Sequence, residues 1–116
     1  ASQKSLKEIA QEIQKLAEEA RSRKINLMDL KGGSFTISNL GAIGVEFFTP
    51  ILNYPETGVL GVGSIIEKPV AVKGKIEIRK MMPLSLTYDH RAVDGAQAAR
   101  FMNDLIGLLE NPERIK

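Results

Sequence analysis

Leu84-Ser85-Leu86-Thr87-Tyr88-Asp89-His90-Arg91-Ala92-Val93-Asp94-Gly95 switches from a strand pattern to the approach of a helix, and the layering of the whole chain follows from that switch. Leu84 to Tyr88, after Pro83, has the apolar and β-branched content of a strand. Beyond Gly95, the residues Ala98, Ala99, Phe101, Met102, Leu105, Ile106, Leu108 and Leu109 supply the broad apolar face of a helix, which Asn111-Pro112 stop. A short polar segment therefore joins strand to helix, a connection in which a side chain is held rigidly yet faces a cleft.

Upstream the pattern divides cleanly. Leu6, Ile9, Ala10, Ile13, Leu16, Ala17 and Ala20 recur at helical spacing, and Ser5 with Glu8 has the spacing of a capping box, so an amphipathic helix starts at Ser5 and runs out in Arg21-Ser22-Arg23-Lys24. Asn26 can cap one further turn through Leu30. Gly32-Gly33 break the chain before a short strand, Phe35-Thr36-Ile37-Ser38. Asn39 to Gly58 has no sustained period and is expected as a long, partly buried loop. Val59 to Ile66 is nearly continuous apolar sequence carrying Gly61, Gly63 and Ser64, expected as one strand covered on both sides with something packed close to its backbone. Val70 to Lys73, the turn Lys73-Gly74-Lys75, and Ile76 to Arg79 alternate as a hairpin does. About five strands with a helix at each end predict an α+β or α/β layer arrangement.

Composition narrows the chemistry. The 116 residues suit one domain, and 43% hydrophobic with 26% charged residues is a globular rather than a disordered or membrane composition. Sixteen Lys plus Arg against fourteen Asp plus Glu, scattered over the chain, argue against nucleic acid as a partner. No apolar run approaches the roughly 20 residues of a membrane helix, and Ala1-Ser2-Gln3-Lys4 carries no signal-peptide pattern, so a soluble intracellular chain is expected. Without cysteine there is no protein thiol chemistry or disulfide, and with a single histidine no His-rich metal centre, so no metal is expected.

That histidine, His90, is the leading candidate for a general base, because no other side chain titrates near neutrality unperturbed. A lone histidine is more often a surface or core residue than a catalyst, but a strand-to-helix connection between two charged residues favours the catalytic role. Asp94 also suits the N-cap of the last helix, with Gln97 at the capping-box position. Asp89 and Arg91 can form an ordinary ion pair, and Gly95 lets the chain turn into the helix. No Gly-x-Ser-x-Gly elbow is present, and among Ser38, Ser64 and Ser85 the sequence does not single out a neighbour of His90. Gly41-Ala42-Ile43-Gly44 matches neither dinucleotide nor P-loop patterns.

The segments Phe35-Thr36-Ile37-Ser38-Asn39-Leu40-Gly41, Phe48-Thr49-Pro50-Ile51, Pro55-Glu56, Gly61-Val62-Gly63 and Leu84-Ser85-Leu86, with Asp89-His90-Arg91-x-x-Asp94-Gly95, resemble the catalytic domain of the dihydrolipoamide acyltransferases of 2-oxo acid dehydrogenase complexes. The His-x-x-x-Asp-Gly element is similar also in chloramphenicol acetyltransferase and in peptide-synthetase condensation domains. The resemblance implies a chloramphenicol acetyltransferase-like α+β two-layer sandwich, and acyl transfer between a dihydrolipoyl group, carried by a separate lipoyl domain, and coenzyme A as substrate. It implies His90 as general base, Ser38 as oxyanion donor, Asp94 bracing the loop of His90 with Arg91 in a structural ion pair, and Asn39, Leu40 and Gly41 along the coenzyme A and lipoyl channel. It further implies a homotrimer with His90 and Ser38 on different subunits, a larger symmetric core, and decarboxylase and dihydrolipoamide dehydrogenase partners held through other domains.

The family's catalytic domain is about twice this length, so residues 1–116 are expected to be its C-terminal half, without its N-terminal half, lipoyl domain or peripheral-subunit-binding domain. Two other functions stand beside acyl transfer: a structural or assembly module without activity of its own, and a chloramphenicol acetyltransferase-like enzyme. The expected compartment is the cytoplasm in a prokaryote or the mitochondrial matrix in a eukaryote.

Overall fold

The computed structural model describes residues 1–115 and divides the chain into two compact units, Ala1–Gly33 and Ser34–Lys116. In the first unit, α1 spans Leu6–Arg21 and begins with the expected capping box: the Ser5 N–H donates to Glu8 Oε2 at 2.8 Å, and the Glu8 N–H donates to Ser5 Oγ at 3.4 Å. Hydrogen bonds from the Ser5 side chain and backbone hold the Glu8 carboxyl below its usual range. A 3₁₀ turn, Leu27–Leu30, follows with Asn26 Oδ1 accepting from the Met28 N–H at 3.0 Å.

The second unit holds β1 (Thr36–Asn39), β2 (Gly58–Val62), β3 (Ile66–Val72), β4 (Lys75–Met81), β5 (Leu84–Tyr88) and α2 (Gly95–Glu110). The strands form two sheets rather than one: a mixed sheet ordered β1-β2-β5, parallel then antiparallel, and the separate hairpin β3-β4. Because β1 and β2 are parallel, the chain between them must return along the sheet, which needs a long connection. Residues 40–57, with one 3₁₀ turn at Gly41–Ile43, make it.

Register assigns the two faces of the mixed sheet. Thr36, Ser38, Val59, Gly61, Ser85 and Thr87 share one face. The return segment crosses it, its Phe48 and Pro50 carbonyls accepting from Ser85 Oγ and Thr87 Oγ1, each at 2.7 Å. Leu86 and Tyr88 are on the other face, where α2 packs through Ala98 and Met102. The core between these layers is small and centres on Val59, Leu60 and Ala98.

The expectation of one strand over Val59 to Ile66 is corrected. β2 ends at Val62 and β3 starts at Ile66. At the break the Gly63 N–H donates to the Pro83 carbonyl at 3.0 Å and the Ser64 N–H to the Val45 carbonyl at 2.9 Å, so the backbone leaves the sheet to bond the return segment. A Cβ on Gly63 would stand 1.9 Å from the Glu46 carbonyl oxygen, which is the close backbone approach that its glycine permits. The hairpin also runs longer than its alternating core suggests. Its turn residues, Lys73 at φ 49° and Gly74 at φ 80°, are both left-handed, as a two-residue type I′ connection requires.

Candidate functional site

His90 is exposed, two residues beyond the end of β5, on a turn that its neighbours tie down. The Asp89 N–H donates to the Thr57 carbonyl at 2.9 Å, joining the turn to the start of β2. The Asp89 carbonyl accepts from the N–H groups of Ala92 at 2.9 Å and Val93 at 3.0 Å, and Asp89 Oδ1 accepts from the Arg91 N–H at 2.9 Å. The Arg91 guanidinium closes a fork on the same carboxylate, Nε to Oδ1 at 2.9 Å and Nη2 to Oδ2 at 2.6 Å. Those bonds hold the Asp89 carboxyl down at about 2 and raise Arg91, the side-chain hydrogen bond being the main cause of each. The ion pair therefore stiffens the backbone on both sides of His90.

Tyr88 packs against His90, with ring centroids 5.6 Å apart and planes inclined at 39°. Beside them lies a cavity of about 290 Å³ lined by Phe35, Gly58, Leu86, Tyr88, Val93 and Phe101 among others, and Phe35 and Phe101 meet there at 5.8 Å. By its sequence alone Tyr88 is only the end of a strand. The contact joins the end of β5 to the turn beyond it, and no periodicity in the sequence marks it.

Asp94 is the N-cap of α2, in extended backbone at φ −80° and ψ 152°, with Gln97 Oε1 accepting from its N–H at 3.4 Å. Arg91 pairs with Asp89 and not with Asp94, so what Asp94 steadies is the start of the helix rather than the guanidinium. Gly95 is corrected in its role. Its φ is not left-handed, so the turn does not require glycine there; a Cβ would instead meet the Tyr88 hydroxyl at 3.4 Å.

Ser38 is not brought to His90 within one chain. Ser38 pairs with Gly61, which pairs with Ser85, and Tyr88 lies three residues further along β5, about 10 Å at the rise of a strand. Ser38 and Tyr88 also face opposite sides of the sheet, and His90 lies beyond that. Asn39, Leu40 and Gly41 gather at the Ser38 end. Asn39 Oδ1 accepts from the Gly41 N–H at 3.0 Å, the Leu40 N–H donates to the Val62 carbonyl at 3.2 Å, and a Cβ on Gly41 would fall 2.3 Å from the Gly63 carbonyl oxygen. Asn39 and Gly41 line a groove of about 280 Å³ with Ala42, Val62, Gly63, Ile65 and Met82. Ser85, the other serine of that row, spends its hydroxyl on the Phe48 carbonyl.

Residues 1–116 match the family described as 2-oxoacid dehydrogenases acyltransferase (catalytic domain). The dihydrolipoyllysine-residue acetyltransferase component of the pyruvate dehydrogenase complex of Staphylococcus epidermidis is 44% identical over 113 residues, covering 97% of this chain and 26% of its own length. Among solved structures, the dihydrolipoamide acetyltransferase of Azotobacter vinelandii is 52% identical with a TM-score of 0.86, covering 92% of this chain and 44% of that one. The cubic core of the pyruvate dehydrogenase multienzyme complex is 51% identical with a TM-score of 0.86 over the same shares, 92% and 44%. The chain thus spans about a quarter of the curated relative and under half of the solved chains. The α+β fold is that of these catalytic cores.

Proposed function

The chain belongs to the 2-oxoacid dehydrogenase acyltransferase family, and from that premise we propose that it takes part in acyl transfer between the dihydrolipoyl group of a lipoyl domain and coenzyme A. One observation carries the reading: the only histidine stands exposed on a turn whose backbone is pinned by an ion pair and by a hydrogen bond to the Thr57 carbonyl just before β2. His90 takes the proton of the acceptor thiol, because a thiol attacks a thioester well only as thiolate. As the thiolate adds to the thioester carbonyl, Ser38 Oγ donates a hydrogen bond to the oxyanion. When the carbon–sulfur bond to the leaving thiol breaks, His90 returns its proton to that sulfur, so proton and acyl group both balance.

The Azotobacter protein lends support. Crystallographic and enzymatic work on it concerns a serine, a histidine and an asparagine in the catalytic mechanism, and these lie 52 and four positions apart in chain order, the separations of Ser38, His90 and Asp94. Asp94 stands where that protein has asparagine. A helix N-cap needs only an acceptor oxygen, which both side chains offer.

With Ser38 and His90 at opposite ends of one sheet, the site of this reading is made by two chains, His90 from one and Ser38 from its neighbour in a homotrimer that builds a larger core. The acyl group put first is acetyl, after the name of the relatives. The compartment that goes with it is the cytoplasm in a prokaryote and the mitochondrial matrix in a eukaryote.

The test is exchange between acetyl-CoA and dihydrolipoamide by the purified protein, beside His90→Ala and with succinyl and isobutyryl donors. Transfer that disappears in His90→Ala is the expected result. A rate untouched by the substitution would sink the proposed base. Folded protein with no transfer at all would favour the second reading, an assembly module without its own activity, which the separation of Ser38 from His90 within the chain supports.

A further inference from the structure

The ring in contact with His90 is that of Tyr88, to which the proposed reaction assigns nothing. A centroid separation of 5.6 Å at 39° lies within the range of favourable aromatic packing. Tyr88 is itself fixed from several directions. Antiparallel register sets its backbone opposite Gly58, and Leu86 and Ala98 line the same walls as its ring. An exposed imidazole on a turn otherwise samples several staggered rotamers, so a fixed ring beside it selects among them. No hydrogen bond joins the Tyr88 hydroxyl to His90 among the described residues, so the contact between the two rings does this work.

We propose that Tyr88 is the positioning residue of His90: its ring holds the imidazole in the orientation from which it takes the thiol proton. The inference rests on the acyl-transfer reading, but its first measurement does not. Because the chain has one histidine, its NMR spectrum holds one imidazole, readable without assay of activity. In the wild-type protein, nuclear Overhauser contacts join the Tyr88 ring protons to those of His90, and the ring current displaces the imidazole resonances. Tyr88→Leu returns those resonances to the values of a free histidine, whereas Tyr88→Phe keeps them displaced. In the exchange assay, Tyr88→Leu lowers kcat roughly tenfold with KM nearly unchanged, the upper end of one aromatic contact, and Tyr88→Phe restores it. Imidazole resonances that ignore Tyr88→Leu overturn the inference. So does the absence of Tyr88–His90 contacts in the wild type, which needs no variant to fold. If the wild type transfers no acyl group while the contacts are present, the acyl-transfer reading fails and the positioning of His90 stands.

Discussion

Asp89 does more for His90 than a surface acid usually does, and acid titration exposes it. Its carboxyl accepts from the Arg91 backbone and from two guanidinium nitrogens, and is held at about 2 mainly by the side-chain bond. A carboxyl depressed on folding contributes stability above its unfolded value, here the ordinary 3.8, and that contribution is lost as pH falls through about 2. Between pH 5 and 8 the turn is therefore insensitive to this group, and a pH-dependent rate in that window has to come from elsewhere. Arg91→Ala removes the guanidinium bonds and leaves the backbone one. The Asp89 midpoint, followed by carboxyl carbon NMR, should rise toward but not reach the ordinary value. A midpoint still near 2 would mean that the backbone bond alone sustains the turn, and Arg91 would lose its structural role.

Between β2 and β3 a single glycine decides how two sheets part. A Cβ at Gly63 meets the Glu46 carbonyl at 1.9 Å, backbone against backbone, with the Pro83 carbonyl at 3.3 Å behind it, so no rotamer change relieves Gly63→Ala. The expected cost is about 3 kcal/mol or more in urea unfolding, at the upper end of overpacking effects. Gly107 is the counter-case. It lies inside α2 with nothing within 4 Å of an added Cβ, so Gly107→Ala should stabilise by about 0.5–1 kcal/mol. Equal effects at the two positions would refute the steric account. The same contrast explains what was legible beforehand. Capping of α1 by Ser5, the Lys73-Gly74 turn and the stop at Asn111-Pro112 are local, and each is where its pattern puts it. The end of β2 at Val62 depends on carbonyls of Val45 and Pro83, remote in sequence, and an apolar run with glycines in it carries no trace of them. His90 was conspicuous as the single histidine, and Tyr88 was hidden because a strand explains it completely.

Across the molecule, apolar surface and divided chemistry point the same way. Ile51 at 92% exposure, Ile76 at 82% and Ile43 at 77% lie on the return segment and the hairpin. Large apolar side chains left exposed become association surfaces where they adjoin one another. Ser38 and His90, meanwhile, sit too far apart along the sheet to act on one thioester from a single chain. If neighbouring chains complete the site, two dead variants should rescue each other. Ser38→Ala retains His90 and His90→Ala retains Ser38, so a mixed assembly contains interfaces with both groups intact. In an equal, randomly mixed cyclic trimer an intact interface needs a Ser38→Ala chain on the histidine side and a His90→Ala chain on the serine side, so about one quarter of interfaces qualify. Co-refolding the two variants should thus recover about a quarter of wild-type exchange, from parents of which Ser38→Ala alone is down roughly 10²- to 10³-fold for want of an oxyanion donor. The separately folded variants, mixed afterwards without exchange of chains, should recover nothing. Recovery confined to the co-refolded sample assigns the two residues to different chains. Its absence, from inactive variants that assemble as the wild type does, would put both residues in the site of one chain and overturn the shared interface; a Ser38→Ala variant that stays fully active by itself would put Ser38 outside the reaction.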